Sequence, residues 1–249
     1  MLRRGGLRVY LGAAPGVGKT VAMLGEGLRR AERGQDVVVA VVETHGRAHT
    51  AAALAGLEVV PRQRLAHPAS PGTLLEEMDV DAVLARAPRH ALVDELAHTN
   101  APGARNAKRW QDVEELLAAG IDVTTTVNVQ HLESLNDVVA QITGVRQRET
   151  VPDDVVRAAD AVELVDMSPQ ALRRRLAHGN VYAAERVDAA LANYFRVGNL
   201  TALRELALLW TADRVDAALT TYRAEQGIAA PWAARPRPPP PTCGWSRAR

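Results

Sequence analysis

The architecture this sequence predicts is an α/β fold built on a mainly parallel sheet with helices on both faces, and three observations carry that reading. The first is a short apolar strand, Val9-Tyr10-Leu11, that runs into a glycine-rich turn ending in Gly18-Lys19-Thr20 and opens a helix. The second is the continuous β-branched run Val37-Val38-Val39-Ala40-Val41-Val42, which suits a parallel strand covered on both faces. The third is the regular alternation of such runs with amphipathic stretches, the pattern of right-handed crossovers onto a parallel sheet.

Taken in order, the elements follow from these signals. After the turn, 21–33 carries Met23, Leu24 and Leu28 among charged residues, and Gly34 stands where a helix ends. The valine run follows and ends at Glu43-Thr44-His45-Gly46. Residues 47–89 are harder to read, with helical patterns over 50–57 and 73–86. His90-Ala91-Leu92-Val93 is a short strand that terminates in Asp94 and Glu95. Residues 108–119 form an amphipathic helix with Trp110, Val113, Leu116 and Leu117 near one face, closed by Gly120. Residues 121–127 are strand-forming, 132–142 helical, and 162–166 strand-forming again. From Ser168-Pro169 the pattern turns wholly helical: a start at 168, a second helix over 183–195 and a long third over 200–226. These signals divide the chain into a nucleotide-binding α/β domain (7–167), a helical subdomain (168–227) and a disordered Pro/Arg-rich tail (228–249). The tail's proline run suits extended polyproline or a linker.

Composition narrows the function classes. With 249 residues and 47% hydrophobic content the chain can bury a large core. A net charge of +1 leaves no global basic field, so nucleic acid is not an expected partner. Cys243 is the sole cysteine, which excludes an internal disulfide and a Cys-based zinc site and fits a reducing cytosol. No apolar run reaches the roughly 20 residues of a membrane helix, so direct membrane insertion of this chain is not expected and a cytoplasmic location is.

The chemistry concentrates at the ends of the strands. In the segment Gly12-Ala13-Ala14-Pro15-Gly16-Val17-Gly18-Lys19-Thr20, the residues Gly16, Val17 and Gly18 turn successive backbone N–H groups into one concavity. Lys19 reaches outer phosphates, and the Thr20 hydroxyl is placed to ligate Mg²⁺. This makes the sheet one of the P-loop NTPase type, with one departure: the strict pattern wants glycine at 13, where this chain has Ala13, preceded by Gly12. Asp94 follows its strand as a second, Mg²⁺-holding acid should, opposite Thr20, and Asn128 and Gln130 read either as phosphate-contacting amides or as satisfiers of loop backbone. Glu95 is the candidate catalytic base for an attacking water, or alternatively a helix-capping acid. Glu43, Thr44 and His45 stand where they could touch the base, the ribose or a coupled partner, while His45 also reads simply as a hydrogen-bonded loop histidine. Arg105, Lys108 and Arg109 read as a solvated basic face, with a phosphate-sensing loop as the sharper alternative. Asp153 and Asp154 after Pro152 read as a helix start. The guanine-selective Asn-Lys-x-Asp string is absent, so the expected ligands are ATP and Mg²⁺.

Four strings together, 8–20, 42–47, 93–100 (Val-Asp-Glu-Leu-Ala-His-Thr-Asn) and 126–136 (Thr-Val-Asn-Val-Gln-His-Leu-Glu-Ser-Leu-Asn), closely resemble the N-terminal cytoplasmic domain of the KdpD family of osmosensitive potassium-channel sensor histidine kinases. The resemblance spans about 7–227. It implies an ATP-binding regulatory module of a two-component potassium-sensing kinase, with at most weak ATPase activity and without the transmembrane helices and kinase core. The remaining domains of a membrane-bound sensor kinase would be its partners. Two rival functions share the same loop: a free-standing P-loop phosphotransferase, and a noncatalytic, nucleotide-stabilised module that docks a partner through the helical region.

Overall fold

The computed structural model describes residues 3–70, 72–177, 191 and 193–227. Its strands are β1 (Leu7–Gly12), β2 (Val37–Val41), β3 (Glu58–Val59), β4 (Gln63–Ala66), β5 (Leu74–Glu77), β6 (His90–Val93), β7 (Asp122–Asn128) and β8 (Ala161–Val165). The helices are α1 (Lys19–Glu32), α2 (Ala48–Ala53), α3 (Val80–Arg86), α4 (Arg109–Ala118), α5 (Asn136–Thr143), α6 (Asp153–Arg157), α7 (Pro169–Ala177) and α8 (Val197–Gln226). Six strands form one sheet in the order β3-β2-β6-β7-β1-β8, and every neighbouring pair is parallel. All carboxyl ends therefore lie on one rim, and β7 alone separates β1 from β6.

The alternation of side chains along the strands divides the core into two layers, as a sheet covered on both faces requires. Val9 and Leu11 of β1, Val38 and Ala40 of β2, and Ala91 and Val93 of β6 join the layer containing Val113, Leu116 and Leu117 of α4. Their neighbours Tyr10, Val37, Val39 and Leu92 join the opposite layer with Met23 and Leu24 of α1. A third cluster lies at the rim: Ala14 and Val17 of the glycine-rich turn pack with Leu172 and Leu176 of α7, Phe195 and Leu200.

Three elements differ from the sequence reading. The helix expected over 73–86 is a strand and a shorter helix: β5 pairs antiparallel with β4, and α3 starts only at Val80, where the Asp79 carboxylate accepts from the Ala82 amide at 2.9 Å. The adjacent Leu74-Leu75 and Glu76-Glu77 do not repeat at the helical period, and the real helix start signal was the N-cap at Asp79. The helix expected from 132 begins with two 3₁₀ turns, Val129–His131 and Glu133–Leu135, and becomes α-helical at Asn136. The two-residue edge strand β3 went unread because neither its length nor its exposure leaves a period.

The helix expected over 183–195 and the Pro/Arg-rich tail fall mostly or wholly outside the described residues. By contact density the chain falls into two units, 1–211 and 212–249; of the second, the structure describes the last turns of α8.

Candidate functional site

The turn after β1 is shaped by backbone sterics. Gly16 and Gly18 adopt φ of 89° and 110°, in the left-handed region that an L side chain rarely occupies. Gly12 answers a different demand. A Cβ built on it would stand 2.7 Å from Val17 Cγ2 and 2.8 Å from Lys19 Cδ. The glycine that the strict pattern puts at 13 is thus needed one position earlier, where the Lys19 stem crosses β1. Ala13 meanwhile is accommodated in the core. Sequence reasoning missed Gly12, whose only signal was its adjacency to the departure. The Val17 side chain is buried in the cluster beneath the turn, against α7.

Lys19, at the first position of α1, is 8% exposed and forms no ion pair among the described residues. Its ammonium donates to the Asn128 side-chain oxygen and, at 3.4 Å, to the Ala14 carbonyl. Burial pushes its pKa down to about 8. Asn128 reaches it because β1 and β7 pair in register, Gly12 opposite Asn128.

Asp94, 1% exposed, lies one strand further along the rim. Thr126 of β7 donates to its carboxylate at 2.5 Å, the Thr20 hydroxyl lies 3.1 and 3.3 Å from its two oxygens, and the Glu43 amide approaches at 3.4 Å. Burial nevertheless raises its pKa, against the opposing pull of Thr126 and the Lys19 charge. The structure therefore brings Gly18, Lys19, Thr20, Asp94 and Asn128 together as the spacing suggested.

Glu95 and His45 face each other across the same rim, both with left-handed backbones (φ 57° and 49°), and His45 Nε2 lies 3.0 Å from Glu95 Oε1. Non-glycine residues in this region carry strain of order 1 kcal/mol, and such strain concentrates at functional sites. Burial raises the Glu95 pKa, but the hydrogen bond and charge of His45 outweigh it and leave the carboxyl below its ordinary value; the same bond raises His45. His45 is thus a loop histidine with a defined partner.

The expected solvated basic face is not one surface. Arg105 is exposed and bridges Asp81 and Glu115, and Lys108 donates to the Thr99 hydroxyl at 2.7 Å. Arg109 is 1% exposed: its guanidinium donates to the Asp94 carbonyl at 3.1 Å and to Glu77 at 3.2 Å. Glu77, 5% exposed, also meets His98 at 3.0 Å and the Ala101 amide at 2.8 Å. Burial raises the Glu77 pKa, and these partners more than reverse the shift. Arg109 belongs with the core because α4 begins there and turns its first residue inward beneath the rim. Neither its buried position nor the role of Glu77 had a signal in the linear pattern. Gln130, the second amide after β7, accepts from the Tyr194 hydroxyl, and it is not among the residues that line the cavity over the turn. Asp153 opens α6 and accepts from Ser134 and from Trp210 Nε1, so it is structural as expected.

A cavity of about 650 Å³ opens over the turn, lined by Gly16, Gly18, Lys19, Thr20, Asp94, Glu95 and Asn128 with His45, Arg47, His98, His131, Glu149 and Arg175. Among the described residues no cluster of His, Cys, Asp and Glu is arranged to hold a metal ion by itself, and no helix is long and apolar enough to cross a membrane.

Fold and site together define a parallel-sheet α/β domain with a cation-bearing cavity at its carboxyl rim. The family model of the osmosensitive K⁺ channel His kinase sensor domain, KdpD, matches residues 3–215. Proteins named sensor protein KdpD are similar to it: that of Mycobacterium tuberculosis is 68% identical over 94% of this chain, that of Escherichia coli K12 57% over 93%, and that of Clostridium acetobutylicum 50% over 90%. The chain spans only about a quarter of the length of these relatives (27%, 26% and 25%). This chain belongs to the KdpD sensor-domain family.

Proposed function

We propose that the chain is an ATP-binding regulatory module of a potassium-sensing, two-component histidine kinase, working at the cytoplasmic side alongside the further domains that its longer relatives contain. The observation that carries this reading is Lys19: a buried ammonium that, among the described residues, has no carboxylate in ion-pair contact and is held by neutral oxygens inside a glycine-shaped turn. A buried cation in that state is stabilised by an anionic ligand. In this reading residues 7–167 form the P-loop nucleotide-binding domain, with 168–227 as a helical subdomain beside it.

The residues present fit Mg·ATP. The Gly16–Thr20 amides and Lys19 hold phosphates, Asn128 orients the lysine, and the Thr20 hydroxyl and Asp94, already within 3.1 Å of each other, hold the metal. Bound Mg²⁺ supplies neutralisation of phosphate charge. Glu95 accepts the proton of an attacking water in any hydrolysis; its lowered pKa and its bond to His45 make it a weak base, which accords with a regulatory ATPase of low turnover. The signal is reordering of the rim loops with the state of the nucleotide.

Titration calorimetry of the parent and Lys19→Ala with Mg·ATP tests the proposal. The parent is expected to bind and the variant to lose at least about tenfold in affinity, the worth of a charge-assisted bond. Equal affinity in both, or no binding by the parent, overturns it.

A further inference from the structure

Arg175 lines the cavity, and the reading above leaves it without a task. Among the described residues its guanidinium makes no hydrogen bond or ion pair. It hangs over the glycine-rich turn: a Cβ on Gly18 would lie 3.7 Å from Arg175 Nη1. Its neighbour Arg173, by contrast, is committed to the fold, donating to the carbonyls of Leu191 and Phe195. The helix that carries Arg175 is fixed to the turn itself, because Leu172 and Leu176 are buried against Ala14 and Val17.

We infer that Arg175 is the receptor for the terminal phosphate of the bound nucleotide, and that α7 thereby distinguishes a triphosphate from a diphosphate. This rests on the ATP reading of the cavity. In that reading the turn amides cradle the phosphates nearest the turn and Lys19 reaches the outer ones, which leaves further oxygens of the terminal phosphate to be met. A guanidinium without a partner favours the phosphate with the most charge and the most free oxygens, which it meets with two parallel N–H donors. The packing of Leu172 and Leu176 on the turn fixes the backbone that carries it, so its reach over the cavity is set beforehand. Release of the terminal phosphate removes the only anion that Arg175 contacts, and the change passes to α7 through the apolar cluster shared with the turn.

Affinities of the intact chain for ATP and ADP, each with Mg²⁺, test the assignment in the parent, Arg175→Ala, Arg175→Lys and the exposed neighbour variant Arg174→Ala. Arg175→Ala is expected to lose about tenfold or more for ATP and much less for ADP, so the ATP-to-ADP preference collapses. Arg175→Lys keeps part of the preference and Arg174→Ala keeps all of it. An unchanged preference in Arg175→Ala, or an equal loss for both nucleotides, overturns the inference while leaving the ATP reading intact. A parent that binds neither nucleotide overturns both. If Arg175→Ala melts well below the parent without ligand, Arg175→Lys carries the comparison, and parent-like ADP affinity with parent-like preference there counts against the assignment.

Discussion

Replacing Gly12 by alanine tests whether the steric demand of the turn lies at 12 and not at 13. The added Cβ meets Val17 Cγ2 at 2.7 Å and Lys19 Cδ at 2.8 Å, whereas carbon atoms rest at about 3.5–4.0 Å, so something must retreat by about 1 Å. Neither neighbour retreats freely. Val17 is buried in the cluster that joins the turn to α7, and the Lys19 stem is buried beside β1 with its ammonium tied to Asn128. Overpacking of this kind costs about 1–3 kcal/mol, which for a domain of this size lowers the melting temperature by about 3–9 °C. In the proposed reading, movement of Lys19 also weakens Mg·ATP binding. The companion variant Ala13→Gly restores the strict motif, costs about 1 kcal/mol or less through added freedom of the unfolded chain, and leaves binding unchanged. Thermal unfolding without ligand and calorimetry with Mg·ATP measure both effects. A Gly12→Ala protein that melts and binds like the parent, or an Ala13→Gly protein that suffers more, refutes the reasoning.

Two further outcomes follow from buried charge. Lys19 has a folded pKa of about 8 against 10.5 when unfolded, so between those values the unfolded chain binds the extra proton and ligand-free stability rises with pH, by up to about 3 kcal/mol in all; chemical denaturation from near pH 8 to near pH 10.5 should show this gain in the parent and not in Lys19→Met, and a flat difference between the two disproves it. Arg109→Met removes one charged partner of Glu77, which keeps His98 and the Ala101 amide, together with the bond to the Asp94 carbonyl, and should cost about 2–3 kcal/mol in urea unfolding, with Glu77→Gln in the same chain recovering part of the loss; a cost of under about 1 kcal/mol would show that Arg109 does not bind the β5 strand to the Asp94 backbone.

The strands legible in the linear chain are those whose residues carry their own periodicity. The valines of β2 and the junction of β1 with its turn announce themselves because a parallel strand buried on both faces has to be apolar throughout. Asp94 and Asn128 sit at strand ends and Lys19 and Thr20 at the helix start that follows β1, and their shared rim was equally legible, since a parallel sheet brings all such positions to one edge. The β4–β5 hairpin was not, because its pairing joins 63–66 to 74–77 and its apolar pattern is too short to oppose a helical reading.

What tertiary structure alone decided is which groups share the interior. Arg109 looks like any surface arginine until α4 docks and sets it 3.1 Å from the Asp94 carbonyl, and Gly12 looks like a displaced motif residue until the Lys19 stem crosses it. Arg175 is 156 residues from Lys19 in the chain, and only the packing of α7 on the turn puts both in one cavity. Local pattern encodes local geometry and burial. The placing of charges against one another across the chain comes from how the layers pack, and so it is absent from any window of sequence.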